Sequence, residues 1–250
     1  MIATIFHLGK EFKVDFFKPI NISMPLAANN DCASAWYVNP MKLEPVVMGD
    51  WLGDVNQGGS VNFRNITFNP HGNGTHTECV GHISKEFYTI NQHLNRFIFV
   101  AEVITVLPTA LENGDFVITR KQVETLLKEV DKPEALVIRT LSNGLNKLVT
   151  NYSNTNPPYI LKETIDFLNE LGIEHLLIDM PSIDKEVDGG KLEAHHTFWN
   201  YPNNPQLQKT ITELIYVPNE VQDGTYILNL QIAPFENDAS PSKPVLYKVY

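Results

Sequence analysis

Ala135-Leu136-Val137-Ile138-Arg139-Thr140 is a short aliphatic run that stays apolar until its last two residues, the pattern of a strand buried on both faces. On either side the chain alternates between two periodicities. Residues 97–106 read as a strand closed by Pro108, and residues 175–179 as another. Before the central strand, Thr119 caps a helix predicted over residues 120–130, with Val123, Leu126, Leu127 and Val130 on one face. After it, Pro158 opens a helix running to Leu171, with Leu161, Ile165 and Leu168 inward and Gly172 as its stop. Strand–helix–strand units of this kind predict parallel pairing through crossover helices.

Outward from this centre the pattern loosens. Residues 16–26 read as an extended strand entering a turn, and residues 61–68 as a strand with partial alternation. Between them lies a long connection, residues 27–59, rich in Asn, Gly and Pro and carrying Trp36, Tyr37 and Trp51. Loops of such length without elements of their own are usually functional walls or lids. A short helix is predicted over residues 193–199. A closing strand pair follows at 225–232 and 245–249, with Asp223-Gly224 as the turn before it. The expected fold class is α/β, one domain over residues 1–250, with mixed β-sheets and flanking helices.

Composition narrows the function classes. The 250 residues carry a formal net charge of -10, which argues against a phosphate-backbone partner, since nucleic-acid binding relies on clustered Lys and Arg. No apolar run reaches the ~18 residues needed to span a bilayer. The first ten residues, broken by His7 and Lys10, lack the apolar core of a leader. Two cysteines, Cys32 and Cys79, make no disulfide framework. A cytoplasmic enzyme with no membrane or nucleic-acid partner is the expectation.

The chemistry concentrates in residues 69–82, Asn-Pro-His-Gly-Asn-Gly-Thr-His-Thr-Glu-Cys-Val-Gly-His, which hold three of the eight histidines and a carboxylate. Imidazole and carboxylate are ligands for Zn²⁺ or Mn²⁺. His76 and Glu78, two apart on an extended backbone, point to the same face, with Thr77 and Cys79 to the other. His71 folds back across the Gly72-Asn73-Gly74 turn toward the same point. His82, four beyond Glu78, reaches the same pocket as a base. Three ligands leave an incomplete shell. A second cluster, Glu193-Ala194-His195-His196 with Glu213 further on, supplies the remainder. Glu213 interrupts the apolar run Ile211-Thr212-Glu213-Leu214-Ile215, and a buried carboxylate there is costly unless paired or bound to a cation. Either His195 or His196 serves.

These segments resemble the cyclase-like metal-dependent hydrolases, a family with bacterial kynurenine formamidases and isatin hydrolases among its members and a swivelling β/β/α fold. The family motif is His-x-Gly-Thr-His-x-Asp-x-Pro-x-His. Gly74-Thr75-His76 matches its centre, Glu78 takes the aspartate position and His82 the final histidine. Asn21-Ile22-Ser23-Met24-Pro25-Leu26, Val137-Ile138-Arg139-Thr140, Ile178-Asp179-Met180-Pro181-Ser182-Ile183-Asp184 and Asp238-Ala239-Ser240-Pro241 are similar to further family landmarks, in order. The chain also departs from the pattern. His71 stands five before His76 rather than four, the family position being Gly72. Val80 replaces the motif proline, and Glu78 for aspartate reaches about 1.5 Å further, one C–C bond.

The resemblance implies one or two divalent ions, Zn or Mn, held by His71, His76, Glu78, His195 and Glu213, with His82 as general base and acid. It implies hydrolysis of a C–N amide bond, by preference that of N-formyl-L-kynurenine to kynurenine and formate in tryptophan catabolism, by a homodimer. A cyclic amide or lactone of the isatin type would use the same site. A metal-stabilised protein without activity is the rival class; its ligands would be closed around the ion. An aromatic small-molecule substrate needs an apolar wall, for which Trp36, Tyr37, Trp51 and Phe63 are the candidates. No Gly-x-Ser-x-Gly elbow or Gly-x-Gly-x-x-Gly turn supports a serine hydrolase or a dinucleotide enzyme.

Overall fold

The computed structural model describes residues 1–7, 9–28, 31–127 and 133–250. A mixed nine-stranded sheet forms its centre. In chain order its strands are β1 (Ile20–Asn21), β2 (His76–Glu78), β3 (Ile98–Val106), β4 (Ala135–Thr140) and β5 (His175–Ile178). They continue with β6 (Thr210–Glu213), β7 (Gly224–Asn229), β8 (Ala239–Pro241) and β9 (Val245–Lys248). Across the sheet the order is β8-β2-β6-β5-β4-β3-β7-β9-β1. Strands β6, β5, β4 and β3 are parallel, and the strands outside them pair antiparallel.

Helices α1 (Arg120–Leu127), α2 (Lys162–Leu171) and α3 (Glu193–Trp199) lie in the connections between the parallel strands. All six residues of β4 are buried, and the two-residue period of a strand divides them between two cores. Leu136 and Ile138 pack with Val123, Ile165, Leu168 and Phe198 of the helices. Ala135 and Val137 pack on the opposite face with Phe99, Val103, Tyr226 and Leu228. Fully burying each large apolar side chain contributes about 1.5–3 kcal/mol. The centre of the sheet is therefore the stable platform from which the site loops project. Among the described residues no helix is long and apolar enough to cross a membrane.

Several expectations change. Pro158 does not open α2. Tyr159–Ile160 instead forms a short strand parallel to Phe116–Ile118, and the helix begins at Lys162. Ladder pairing next to Ile118 outweighs the preference of proline for a first helical turn, and Leu161 becomes the partly buried cap. In α1, Val123 and Leu127 are buried but Leu126 is exposed; residues 128–130 lie outside the described residues. The stretch 16–26 pairs in the sheet only at Ile20–Asn21, with an isolated bridge at Ser23. The long connection also has elements of its own. Lys42–Pro45 pairs with Arg64–Thr67, and Val47–Met48 with Trp51–Leu52.

One buried titratable group in the sheet has a measurable signature. His175 on β5 is held by Thr210 Oγ1 at 2.8 Å and by the Phe99 ring. Burial, with Arg96 and Lys209 nearby, depresses its pKa to about 3. Below an unfolded pKa of about 6.5 the unfolded chain takes a proton that the folded chain refuses, so stability falls as pH falls from that point toward 3. Between pH 7 and pH 5 this one group accounts for a loss of about 2 kcal/mol. His175→Asn should lose that much less than the wild type over the same interval in urea unfolding. Identical losses in the two proteins would refute the assignment.

Candidate metal centre

The turn that leads into β2 is shaped by its own side chains. Asn69 Oδ1 accepts from the Gly72 amide at 3.0 Å, Asn73 Oδ1 from the Asn69 amide at 2.8 Å, and Asn73 Nδ2 donates to the Asn39 carbonyl at 3.2 Å. The Gly72 carbonyl accepts from the Ala35 amide. A Cβ at Gly72 would stand 2.4 Å from Val38 Cγ2, and Gly74 has a left-handed φ of 76°. The position at which the family keeps its first histidine thus has no room for a side chain here, and His71 is the residue presented.

Strand β2 lies between β6 and β8. His76 faces Glu213 and Pro241 in register, and Glu78 faces Ile211 and Ala239. The pleat turns His76 and Glu78 to one side, and Thr77 to the other, where its hydroxyl meets that of Thr212 at 2.8 Å. Thr75 ties the turn down: its hydroxyl donates to the Leu214 carbonyl and accepts from the Met24 amide.

The predicted site residues come together. His71 Nδ1 lies 3.0 Å from Glu78 Oε2, and His195 Nε2 3.2 Å from Glu78 Oε1. His76 Nε2 lies 3.5 Å from Glu213 Oε2, and His195 Nε2 3.9 Å from Glu213 Oε1. His82 Nδ1 is 3.8 Å from Glu78 Oε2, and its ring stands 4.3 Å from that of His71. His195 rather than His196 faces this cluster; His196 Nδ1 meets the Tyr201 carbonyl instead. The ligand atoms of His71, His76 and Glu78 lie within 4.8 Å of one another, as do those of Glu78, His82 and His195.

Two ring orientations are fixed from behind. His76 Nδ1 is 3.2 Å from the Gly74 carbonyl, so it carries the proton and leaves Nε2 toward the cluster. His195 Nδ1 sits 2.6 Å from Asp184 Oδ2, which also accepts from the His195 amide. Carboxylate and carbonyl partners of this kind orient metal-binding imidazoles. His76 Nε2 is buried and has no hydrogen-bond partner among the described residues, and Glu78 Oε2, equally buried, faces the His71 and His82 rings at 3.0 and 3.8 Å. An imidazole lone pair and a carboxylate oxygen buried together are costly in a dry interior, and a cation satisfies both. The donor set of nitrogen and carboxylate oxygen suits a divalent transition metal.

The electrostatics agree. Burial alone would lower the pKa of His71, but hydrogen bonds to Asp238 and Glu78 lift it to about 10. Burial likewise opposes, and Asp184 and Glu78 override it, raising His195 to about 10. Glu78, despite a burial that would raise it, is held well below the usual carboxylate range by His82, His195 and His71. The cluster carries more negative charge than its imidazoles balance when neutral.

Two site residues were visible only as landmarks, without a role. Asp184 orients His195, and Asp238 Oδ2 lies 2.8 Å from His71 Nε2 and 3.5 Å from His82 Nδ1. The carboxylates of Pro-Ser-x-Asp and Asp-x-Ser-Pro were the available signal.

A cavity of about 400 Å³ opens beside the cluster, lined by Trp36, Val38, His71, His82, His195 and Glu213 together with Ser182, Lys185, Glu186, Asp188 and Leu192 of the loop after β5. Of the four aromatic candidates only Trp36 is in this lining. Tyr37 is exposed, with its hydroxyl near Asn154 and Glu186. Trp51 and Phe63 pack on each other, 6.1 Å apart, on the ribbon formed by the long connection. Their apolar surface covers that ribbon, not the cavity.

Residues 20–185 match the family model described as "Putative cyclase". The chain belongs to the cyclase family. A kynurenine formamidase of Bacillus cereus (strain ATCC 10987 / NRS 248) is 29% identical over 228 residues, covering 91% of this chain and 96% of that protein. Among solved structures, isatin hydrolase A from Labrenzia aggregata bound to benzyl benzoate superposes with a TM-score of 0.67 at 16% identity, covering 93% of this chain and 94% of the other. A protein from Bacillus stearothermophilus described as a predicted metal-dependent hydrolase superposes with a TM-score of 0.63 at 16% identity, covering 92% and 98%. The expected fold class, mixed α/β of the cyclase type, is the observed one.

Proposed function

We propose that the chain is a metal-dependent hydrolase of a non-peptide C–N amide bond, and that its substrate is an aryl formamide of the N-formylkynurenine type. The observation that carries this reading is the convergence of His71, His76, Glu78, His195 and Glu213, with His76 Nε2 buried and unpaired among the described residues, beside a cavity that His71, His195, Glu213 and Trp36 line. The kynurenine formamidase relatives, similar over nearly the whole chain, favour the formamide. These five residues would hold the cation, which when bound supplies Lewis acidity toward water and carbonyl oxygen.

The chain's own groups do the rest. Trp36 offers a face for an aromatic ring. His82 Nδ1 is turned toward Glu78 and Asp238, leaving Nε2 to take the proton of the attacking water and return it to the departing nitrogen. The half-exposed position of His82 lets that proton exchange with solvent. The buried walls behind His76 and His195 keep those rings from turning.

Metal analysis of the purified protein, followed by hydrolysis of N-formyl-L-kynurenine and of isatin with and without chelator, tests the reading. Turnover of the formamide that chelator abolishes and added Zn²⁺ or Mn²⁺ restores is the expected result. An active protein indifferent to chelator, or one turning over isatin alone, would contradict it. A narrower expectation concerns Asp184. Asp184→Asn should weaken metal affinity about 10–100-fold, the range for losing a carboxylate behind a ligating imidazole, in a competition titration with a chromogenic chelator. Unchanged affinity would remove Asp184 from the site.

A further inference from the structure

We infer that Lys185 binds a carboxylate on the non-reacting end of the substrate, so that the preferred amide is an aryl formamide bearing an anionic side chain; this rests on the hydrolase reading above. Lys185 lines the same cavity as His71, His82, His195 and Glu213, and among the described residues of that lining it is the one lysine or arginine. It directly follows Asp184, the residue that holds His195. Its place relative to the site is therefore fixed by the backbone.

The ammonium is held by a buried acid. Lys185 Nζ donates to Asp115 Oδ2 at 2.7 Å. Asp115 is buried, and its carboxylate also accepts from Asn113 Nδ2 at 2.9 Å, Asn156 Nδ2 at 2.9 Å and the Tyr159 hydroxyl at 3.1 Å. An ammonium has three N–H donors. One is used on Asp115, and among the described residues no second acceptor meets Nζ.

The neighbouring acids are in the opposite condition. Glu186 accepts from the Asn154 amide at 2.6 Å, the Asn156 amide at 3.0 Å and the Tyr37 hydroxyl at 3.0 Å. Asp188 accepts from the Gly190 and Leu192 amides at 2.7 and 2.6 Å. Both carboxylates are occupied in shaping the loop, whereas the lysine keeps donors unused. A positioned cation with spare N–H groups in a cavity that Trp36 also lines fits an arene that carries a carboxylate.

The test uses the metal-loaded protein and calorimetric binding of two probes, L-kynurenine and its decarboxylated analogue kynuramine. The wild type should bind L-kynurenine about tenfold or more tightly than kynuramine, the fold-change expected of a hydrogen bond to a charged group. Lys185→Met should bring the two affinities within about twofold, by weakening L-kynurenine and leaving kynuramine in place. Lys185→Gln provides the same comparison if the methionine variant does not fold. Equal affinities in the wild type, no binding of either probe, or a preference that both variants retain would overturn the inference. Because the readout is binding, its failure is separable from that of the hydrolase reading. A protein that prefers L-kynurenine through Lys185 yet hydrolyses no formamide defeats only the proposed reaction.

Discussion

Glu78→Gln is expected to abolish both metal retention and turnover. The carboxylate is buried on β2 with His71 Nδ1 at 3.0 Å, His195 Nε2 at 3.2 Å and His82 Nδ1 at 3.8 Å. Among the described residues it is the one acid in contact with three of the site's imidazoles, and its charge would help draw a cation to the proposed ligands. Glutamine preserves the volume and removes that charge. Loss of the several kcal/mol a metal contributes to transition-state stabilisation corresponds to a fall in kcat/KM of about 10³-fold. Metal content after dialysis and formamide turnover should fall together. A glutamine variant that kept its metal and a tenth of its activity would show that Glu78 is not at the centre. Glu78→Asp, with the shorter acid of the family motif, should retain part of both.

His82→Ala should separate what Glu78→Gln removes together. Its ring borders the cavity and is partly exposed, 4.3 Å from the His71 ring and 5.6 Å from that of His195. Positioned proton transfer is worth about 10²–10⁴-fold. The variant should therefore bind metal as the wild type does while kcat falls by that factor. Metal loss with unaltered turnover per bound ion would move His82 into the ligand set. The contacts of His71, His82 and Asp238 give that alternative a defined location.

The central fold was legible because its residues obey a single physical rule. Ala135 to Thr140 is buried on both faces and reads as a continuous apolar run; its bounds match the observed strand. Glu193 to Trp199 likewise forms the helix expected of it. Sequence signals failed where tertiary pairing overrode local preference. Thr210 to Glu213 has no strand-like alternation in hydrophobicity, because its Thr residues are buried as hydrogen-bonding groups and its Glu as a site residue. The ribbons of the long connection have mostly exposed side chains and so leave no hydrophobic period to read.

The site divided in the same way. His76, Glu78, His195 and Glu213 were legible as buried-type positions occupied by polar residues in recognisable spacing. His71 was legible in spite of its displaced position because the glycine turn could fold it back. Asp184 and Asp238 were not assigned roles, since nothing local shows which imidazole a distant carboxylate will meet. The aromatic wall was misjudged for three residues of four, because composition supplies the rings and only the course of the chain decides which of them turns inward.

The short strand β2 is wedged between two segments made long after it, residues 210–213 and 239–241. During synthesis His76 and Glu78 must wait until residue 241 has emerged before both neighbours of their strand are available. A ribosome-bound fragment ending ahead of Ala239 would expose that flank to solvent and lack Asp238 or its anchorage beside Cys79. Assembly of the candidate metal centre is thereby coupled to the synthesis of residues 239–241.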